Sequence, residues 1–198
     1  TLERLERSNL FVMALDDNRE WFRYHRLFAD VLRDEMERES PGEVAGMHER
    51  AALWYLAHDM GDQAFEHAIA TGDVELVIQV LERFAMVKLF SGQIRALLGW
   101  VQALPESWLE AKPVLRLLQV AVLMYSGSVE TAIRVLEELD QRVSGLGDEA
   151  RSVVGRVTAV KCFMACEMND VPRAEELAAA ALDALAPEDH IFRGGVWG

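Results

Sequence analysis

A histidine that opens a helix is well placed to hold an anion. His25 stands between Tyr24 and Arg26-Leu27-Phe28, where a helical pattern begins. A helix start carries positive potential and free backbone N–H groups, and an imidazole there can add a hydrogen bond to a phosphate or carboxylate. The plainer reading of the same residue is a local cap or a ring-to-backbone bond. Other candidates are weaker. Cys162 and Cys166 lie four apart in an apolar helical run and read as buried free thiols, since no further Cys or His lies near enough to complete a metal site. His48, His58 and His67 are dispersed in sequence and argue for no metal. Glu137-Glu138 and Glu175-Glu176 read as solvated helix faces. No Ser-His-Asp or Cys-His nucleophile grouping is recognisable, so the chain is expected to be no enzyme and to hold no metal.

The elements that must position His25 are a β-hairpin and the helix after it. Leu10 to Leu15 and Trp21 to Tyr24 read as strands, joined by the turn Asp16-Asp17-Asn18-Arg19. A helix over His25–Glu39 carries Leu27, Phe28, Val31, Leu32 and Met36 on one side and ends at Ser40-Pro41-Gly42. Beyond Tyr24 the period is helical throughout. Helices are expected over 43–59, 62–70, 74–89, 93–104, 113–125, 129–143, 149–167 and 172–185, with short breaks at Thr71-Gly72, Ser91-Gly92, Pro105, Ser126-Gly127-Ser128, Gly145 with Gly147, and Asn169-Asp170. Pro113 and Pro172 suit the first turn of a helix. Short connections imply antiparallel neighbours.

A faint repeat supports that reading. Ser126-Gly127-Ser128-Val129-Glu130-Thr131-Ala132 aligns with Met168-Asn169-Asp170-Val171-Pro172-Arg173-Ala174, with Ala132 and Ala174 in register 42 residues apart. The expected fold is mostly α: a TPR-like right-handed superhelix of antiparallel helical hairpins over 43–198, preceded by a short β-hairpin over about 10–24 and a helix over about 25–39.

Composition sets the outer bounds. The chain of 198 residues carries a net charge of −13, with 51% hydrophobic and 27% charged residues. That balance fits an ordered protein and works against direct contact with a phosphate backbone. Residues 1 to 36 hold six Arg and eight Asp or Glu, so Arg19, Arg23 and Arg26 make poor phosphate contacts, with Asp16 and Asp17 at the tip of the hairpin. No apolar run reaches membrane-spanning length. No secretory signal pattern opens the sequence, and a cytoplasmic protein is expected. The chain starts without Met, ends on Gly-Gly-Val-Trp-Gly, and reads as an excised piece; His190 to Gly198 read as the opening of another helix. Trp54, Trp100 and Trp108 fall at helical positions and are expected in the core. Trp54, Tyr55, Trp100 and Tyr125 are the aromatic candidates for a ligand or partner surface.

Three stretches resemble the large ATP-binding regulators of the LuxR type, the MalT-like group of signal-transduction ATPases. The first is Asn9-Leu10-Phe11 through Leu15-Asp16-Asp17, continued by Trp21-Phe22-Arg23-Tyr24-His25-Arg26-Leu27-Phe28-Ala29-Asp30-Val31-Leu32-Arg33. The second is Trp54-Tyr55, Ala57-His58, Asp62, Ala64, His67-Ala68 and Gly72-Asp73. The third is Leu98, Trp100, Ala103-Leu104-Pro105, Pro113, Leu115, Gln119 and Gly127.

The resemblance implies that residues 1–39 are the C-terminal part of a winged-helix domain, and that the region couples inducer binding on the helical repeats to a nucleotide switch. ATP or ADP would be held by the parent protein and DNA by a separate C-terminal domain, with self-association in the active state. Tyr24-His25-Arg26 is similar to the Met-His-Asp-type motif of such ATPases, which implies that His25 contacts a phosphate of ADP. This stretch itself carries no G-x-x-x-x-G-K-[ST] phosphate loop, so no cofactor is expected on it alone. A helical-repeat adaptor for a partner protein, without a nucleotide switch, is the alternative from another class.

Overall fold

The computed structural model describes residues 4–5, 8, 11–18, 20–40, 42–143, 151–187, 189 and 192–193. Leu10, Arg19, the break at Gly145 and Gly147, Trp197 and most of the expected closing helix lie outside them. The chain forms two compact units, Thr1–Asp73 and Val74–Gly198.

In the first unit, β1 (Val12–Ala14) and β2 (Phe22–Tyr24) pair antiparallel, Val12 opposite Tyr24 and Ala14 opposite Phe22. The strands are shorter than the spans read from the sequence. Asp16 closes their turn: its carboxylate accepts from the backbone N–H of Glu20 at 3.1 Å and of Trp21 at 2.8 Å. The aspartate at the wing tip is thus an internal acceptor, the use for which Asp is favoured in turns. Helix α1 (Arg26–Glu39) follows, then the helical pair α2 (Glu43–Ala57) and α3 (Gly61–Thr71). The apolar side of α1 is only partly covered. Phe28, Leu32 and Met36 are half-buried, whereas Leu27 is 71% and Val31 60% exposed. The stripe is wider than its contact with the hairpin, which runs through Phe28 to Phe11 and Tyr24.

The second unit contains α4 (Val74–Phe90), α5 (Ile94–Ala103), α6 (Glu106–Ala111), α7 (Pro113–Tyr125), α8 (Val129–Val143), α9 (Arg151–Glu167) and α10 (Val171–Ala184). The short α6 was not expected from the sequence. Pro105 stands just before it and Glu106 in its first turn, a start signal that reads as a break when the helix is only six residues long. Helices pair in sequence as α7 with α8 and α9 with α10, and α8 packs on α9. The mostly α fold of helical hairpins behind a β-hairpin is the one the sequence called for.

One turn recurs four times. Asp59, Gly92, Gly127 and Asn169 all have positive φ, from 58° to 84°. After each, the next N–H reaches back five residues: Met60 to Tyr55 at 3.0 Å, and Gln93 to Lys88, Ser128 to Leu123 and Asp170 to Ala165 at 2.9 Å. This is the Schellman ending, which satisfies orphan carbonyls of the first helix while turning the chain into the second. The turns stand 33, 35 and 42 residues apart, so the repeat seen at the last two extends to all four. Five residues beyond each lies a buried side chain: Ala64, Leu97, Ala132 and Ala174.

The last pair approaches most closely at Gly155. A Cβ there would stand 2.8 Å from the backbone nitrogen of Leu185 and 3.0 Å from the carbonyl carbon of Ala184. Neither atom belongs to a flexible side chain, so Gly155→Ala must separate α9 from the end of α10. We expect a loss of about 1–3 kcal/mol, read as a lower denaturant midpoint; an unchanged midpoint would show that the pair has slack.

Candidate functional site

The site that carries the functional question runs from the wing to the first helical pair. His25 immediately precedes α1. Its backbone N–H donates to the carbonyl of Phe11 at 2.6 Å, and its carbonyl accepts from Phe28 and Ala29 at 2.9 Å. Phe11 has φ +58°, a costly conformation for a bulky residue, and its ring stacks on Phe28 at 5.2 Å. The backbone of His25 is therefore fixed by the hairpin, while its imidazole is exposed and makes no capping hydrogen bond. The local-cap alternative is not realised, and the ring stands open at a helix start.

From Trp21 a chain of rings crosses into α2 and α3. Trp21 meets Trp54 edge-on at 5.7 Å and lies parallel to Tyr55 at 6.5 Å. Trp54 stacks on His58 at 3.9 Å. Tyr55 stacks on His67 at 5.4 Å, and His67 Nδ1 stands 2.9 Å from His48 Nδ1. Trp54 is 44% exposed and Trp21 40%, so Trp54 is not the core residue expected of its helical position. A short helix pair has little interior, and the buried side chains there are small ones and Phe65. The three histidines are less dispersed than their numbering suggested: the packing of α2 on α3 joins His48 to His67. Among the described residues no group of three or more His, Cys, Asp or Glu is placed to hold a metal.

In the His48–His67 contact one nitrogen must donate and the other accept, so the pair holds one proton between the two facing nitrogens. Burial pushes the His67 imidazole below its ordinary value and His48 acts the same way, while Glu66 pulls it back.

The remaining candidates lie in the second unit. Trp100 is buried, with Lys88 Nζ 4.7 Å above its ring. Trp108 is half-buried, and Tyr125 is 48% exposed. Trp100 therefore offers no open surface, whereas Tyr125 does. Cys162 is buried, donates to the Ala174 carbonyl at 3.4 Å, and has its thiol pushed up by burial and by neighbouring Cys166. Cys166 is exposed, contrary to the expectation of two buried thiols; it shares a face with Cys162 but stands one residue from the end of α9, where exposure runs on through Asp170. A polar cleft of about 500 Å³ lies between α6, α7 and α8, lined by Glu106, Glu110, Arg116, Glu138, Gln141 and Arg142. Arg116 pairs with Glu106 and Arg142 with Glu110, presenting alternating charges around the opening. No helix among the described residues is long and apolar enough to cross a membrane.

A hairpin leading into a long helix and then into helical pairs is consistent with a winged helix followed by helices. Residues 1–44 match the family model of the MalT winged helix domain. The chain is 31% identical over 184 residues to the HTH-type transcriptional regulator MalT of Cronobacter sakazakii, covering 93% of this chain and 20% of that protein. It is 32% identical over 192 residues to MalT of Klebsiella pneumoniae, covering 97% and 21%. The chain thus spans about a fifth of the length of the curated relatives it matches, and the resemblance read from its motifs is borne out. No solved structure matches it.

The His67 shift sets a pH dependence. Unfolded, the imidazole titrates near its ordinary value of about 6.5; folded, it titrates lower, so the unfolded chain binds more protons between the two values. Stability is held above that window and lost as pH falls through it. Thermal unfolding should shift to lower temperature between pH 7.5 and 5.5, and His67→Gln should flatten that slope; an equal slope in the variant would assign it to other groups.

Proposed function

We propose that this chain is the connecting and signal-sensing region of an ATP-dependent, LuxR-type transcriptional regulator. In this reading an inducer, a small molecule or a protein, binds on the helical pairs, and the winged helix carries the signal to a nucleotide module elsewhere in the parent protein. The parent binds DNA through a further domain and self-associates when active. The observation that carries the proposal is the similarity to MalT regulators across nearly the whole chain, from the wing into the helical pairs.

The geometry supports a coupling role. Trp21 of the wing and His67 of α3 are linked through Tyr55, so a displacement of the first helical pair is felt at the wing. The cleft around Arg116 and Arg142 has the size of a small-molecule site. His25 is assigned the contact to an ADP phosphate in the resting state; its exposed ring at a helix start supports that role. An inducer acts here only if it prefers the state in which that contact is broken.

His25→Ala in the intact parent should remove one hydrogen bond to a charged group, worth about 1.5 kcal/mol or roughly tenfold faster ADP release. The comparison is completed by duplex-DNA binding of the parent with ATP and with ADP. Binding with ATP and little with ADP supports the switch. Nucleotide-independent behaviour, with ADP release unchanged by His25→Ala, assigns the region instead to a helical-repeat adaptor.

A further inference from the structure

The turn edge of the last two helical pairs has a composition unlike the rest of this acidic chain. Tyr125, Val129, Met168 and Val171 flank the turns at Gly127 and Asn169 and are 48%, 44%, 68% and 56% exposed. Between the turns is a small apolar cleft of about 130 Å³, lined by Met124, Tyr125, Val129, Phe163, Met164 and Met168, with Glu167 at its margin. The Tyr125 and Phe163 rings stack at 6.4 Å and form one wall.

Its charges are all of one sign. Met124–Thr131 and Phe163–Pro172 contain Glu130, Glu167 and Asp170 and no Lys or Arg. All three carboxylates are exposed, and Arg173, the next residue, is paired with Glu176. Methionine-lined apolar clefts adapt to varied side chains because the thioether is polarizable and its rotors are soft. An apolar cleft rimmed only by carboxylates complements a helix with apolar side chains on one face and Lys or Arg beside them. A second copy of this chain, at net charge −13, would bring like charge to the same rim.

We propose that this edge is a docking surface for a basic amphipathic helix of a protein partner. Its apolar side chains enter between Tyr125 and Met168, and its cationic side chains face Glu130, Glu167 and Asp170. The surface is made wholly within the second unit, and the interaction stands whether or not the nucleotide reading does.

The test uses the 198-residue chain and a fluorescein-labelled amphipathic peptide of Leu and Lys, followed by anisotropy at physiological salt. Saturable binding is expected, weakened at least tenfold by Met168→Asp and several-fold by Glu167→Lys, and unchanged by Val87→Asp, an exposed apolar position on another helix. Met168→Asp is the decisive variant: it adds negative charge, so simple attraction to an acidic protein would leave binding equal or tighter, and that result overturns the proposal. Equal binding of a Leu and Glu peptide, or no binding of the Lys peptide, also overturns it. So does peptide-free dimerisation by sedimentation that Met168→Asp abolishes, since a second copy would then own the edge. Circular dichroism of each variant confirms that the helices are retained, and the exposure of Met168 makes that the expected result.

Discussion

The structure depends on one backbone constraint used four times: a helix that ends on a residue in the left-handed region and closes its own last carbonyls as the chain reverses. A reversal of that kind leaves no room for slack. The second helix begins within two residues of the turn, and the side chain five positions on must fit beneath the first helix. At three of the four positions that side chain is alanine, and it is fully or nearly fully buried. The two non-glycine turn residues, Asp59 and Asn169, are of the types that tolerate positive φ best. Each pair is thus fixed by local chemistry, and the apolar faces of successive helices supply the rest.

What distinguishes the first pair is its aromatic content. Later pairs in the second unit bury aliphatic side chains such as Leu117, Val120, Leu136 and Val157 between them. The first pair instead presents Trp54, Tyr55, His58, His48 and His67, and the wing contributes Trp21 to the same chain of rings. Ring contacts of this kind, each contributing about 0.5–1.5 kcal/mol, join elements without sealing them into a core. The His48–His67 contact adds a titratable joint to that line. The connection between wing and helices is therefore one of modest strength, made by rings that touch while Trp21 and Trp54 stay partly exposed.

The second unit divides its surface by chemistry. The cleft around Arg116 and Arg142 mixes both signs of charge, with carboxylates engaging the guanidiniums. The turn edge around Met168 is apolar with carboxylates alone. Both arise from the same architecture: helix flanks line the first, and helix ends with their connecting turns line the second. The first is a polar cleft whose guanidiniums are engaged by carboxylates, and the second is the edge proposed to take a cationic amphipathic helix.

The sequence by itself determined the helical pairs, most of their limits and the hairpin ahead of them. Hydrophobic period, glycine and proline punctuation and turn residues are local signals, and helices obey local signals when connections are short. It also marked His25 as a histidine at a helix start. Only tertiary structure decided which candidate residues meet. His48 and His67 are far apart in number and touch because α2 packs on α3. Trp54 is open and Trp100 buried, although both sit at apolar helical positions, because burial depends on what the neighbouring element covers. Leu27 and Val31 share a stripe with Phe28 yet remain exposed for the same reason. Periodicity states which side chains share a face. It does not state whether another element arrives to cover it, and that is settled by packing between segments distant in the chain.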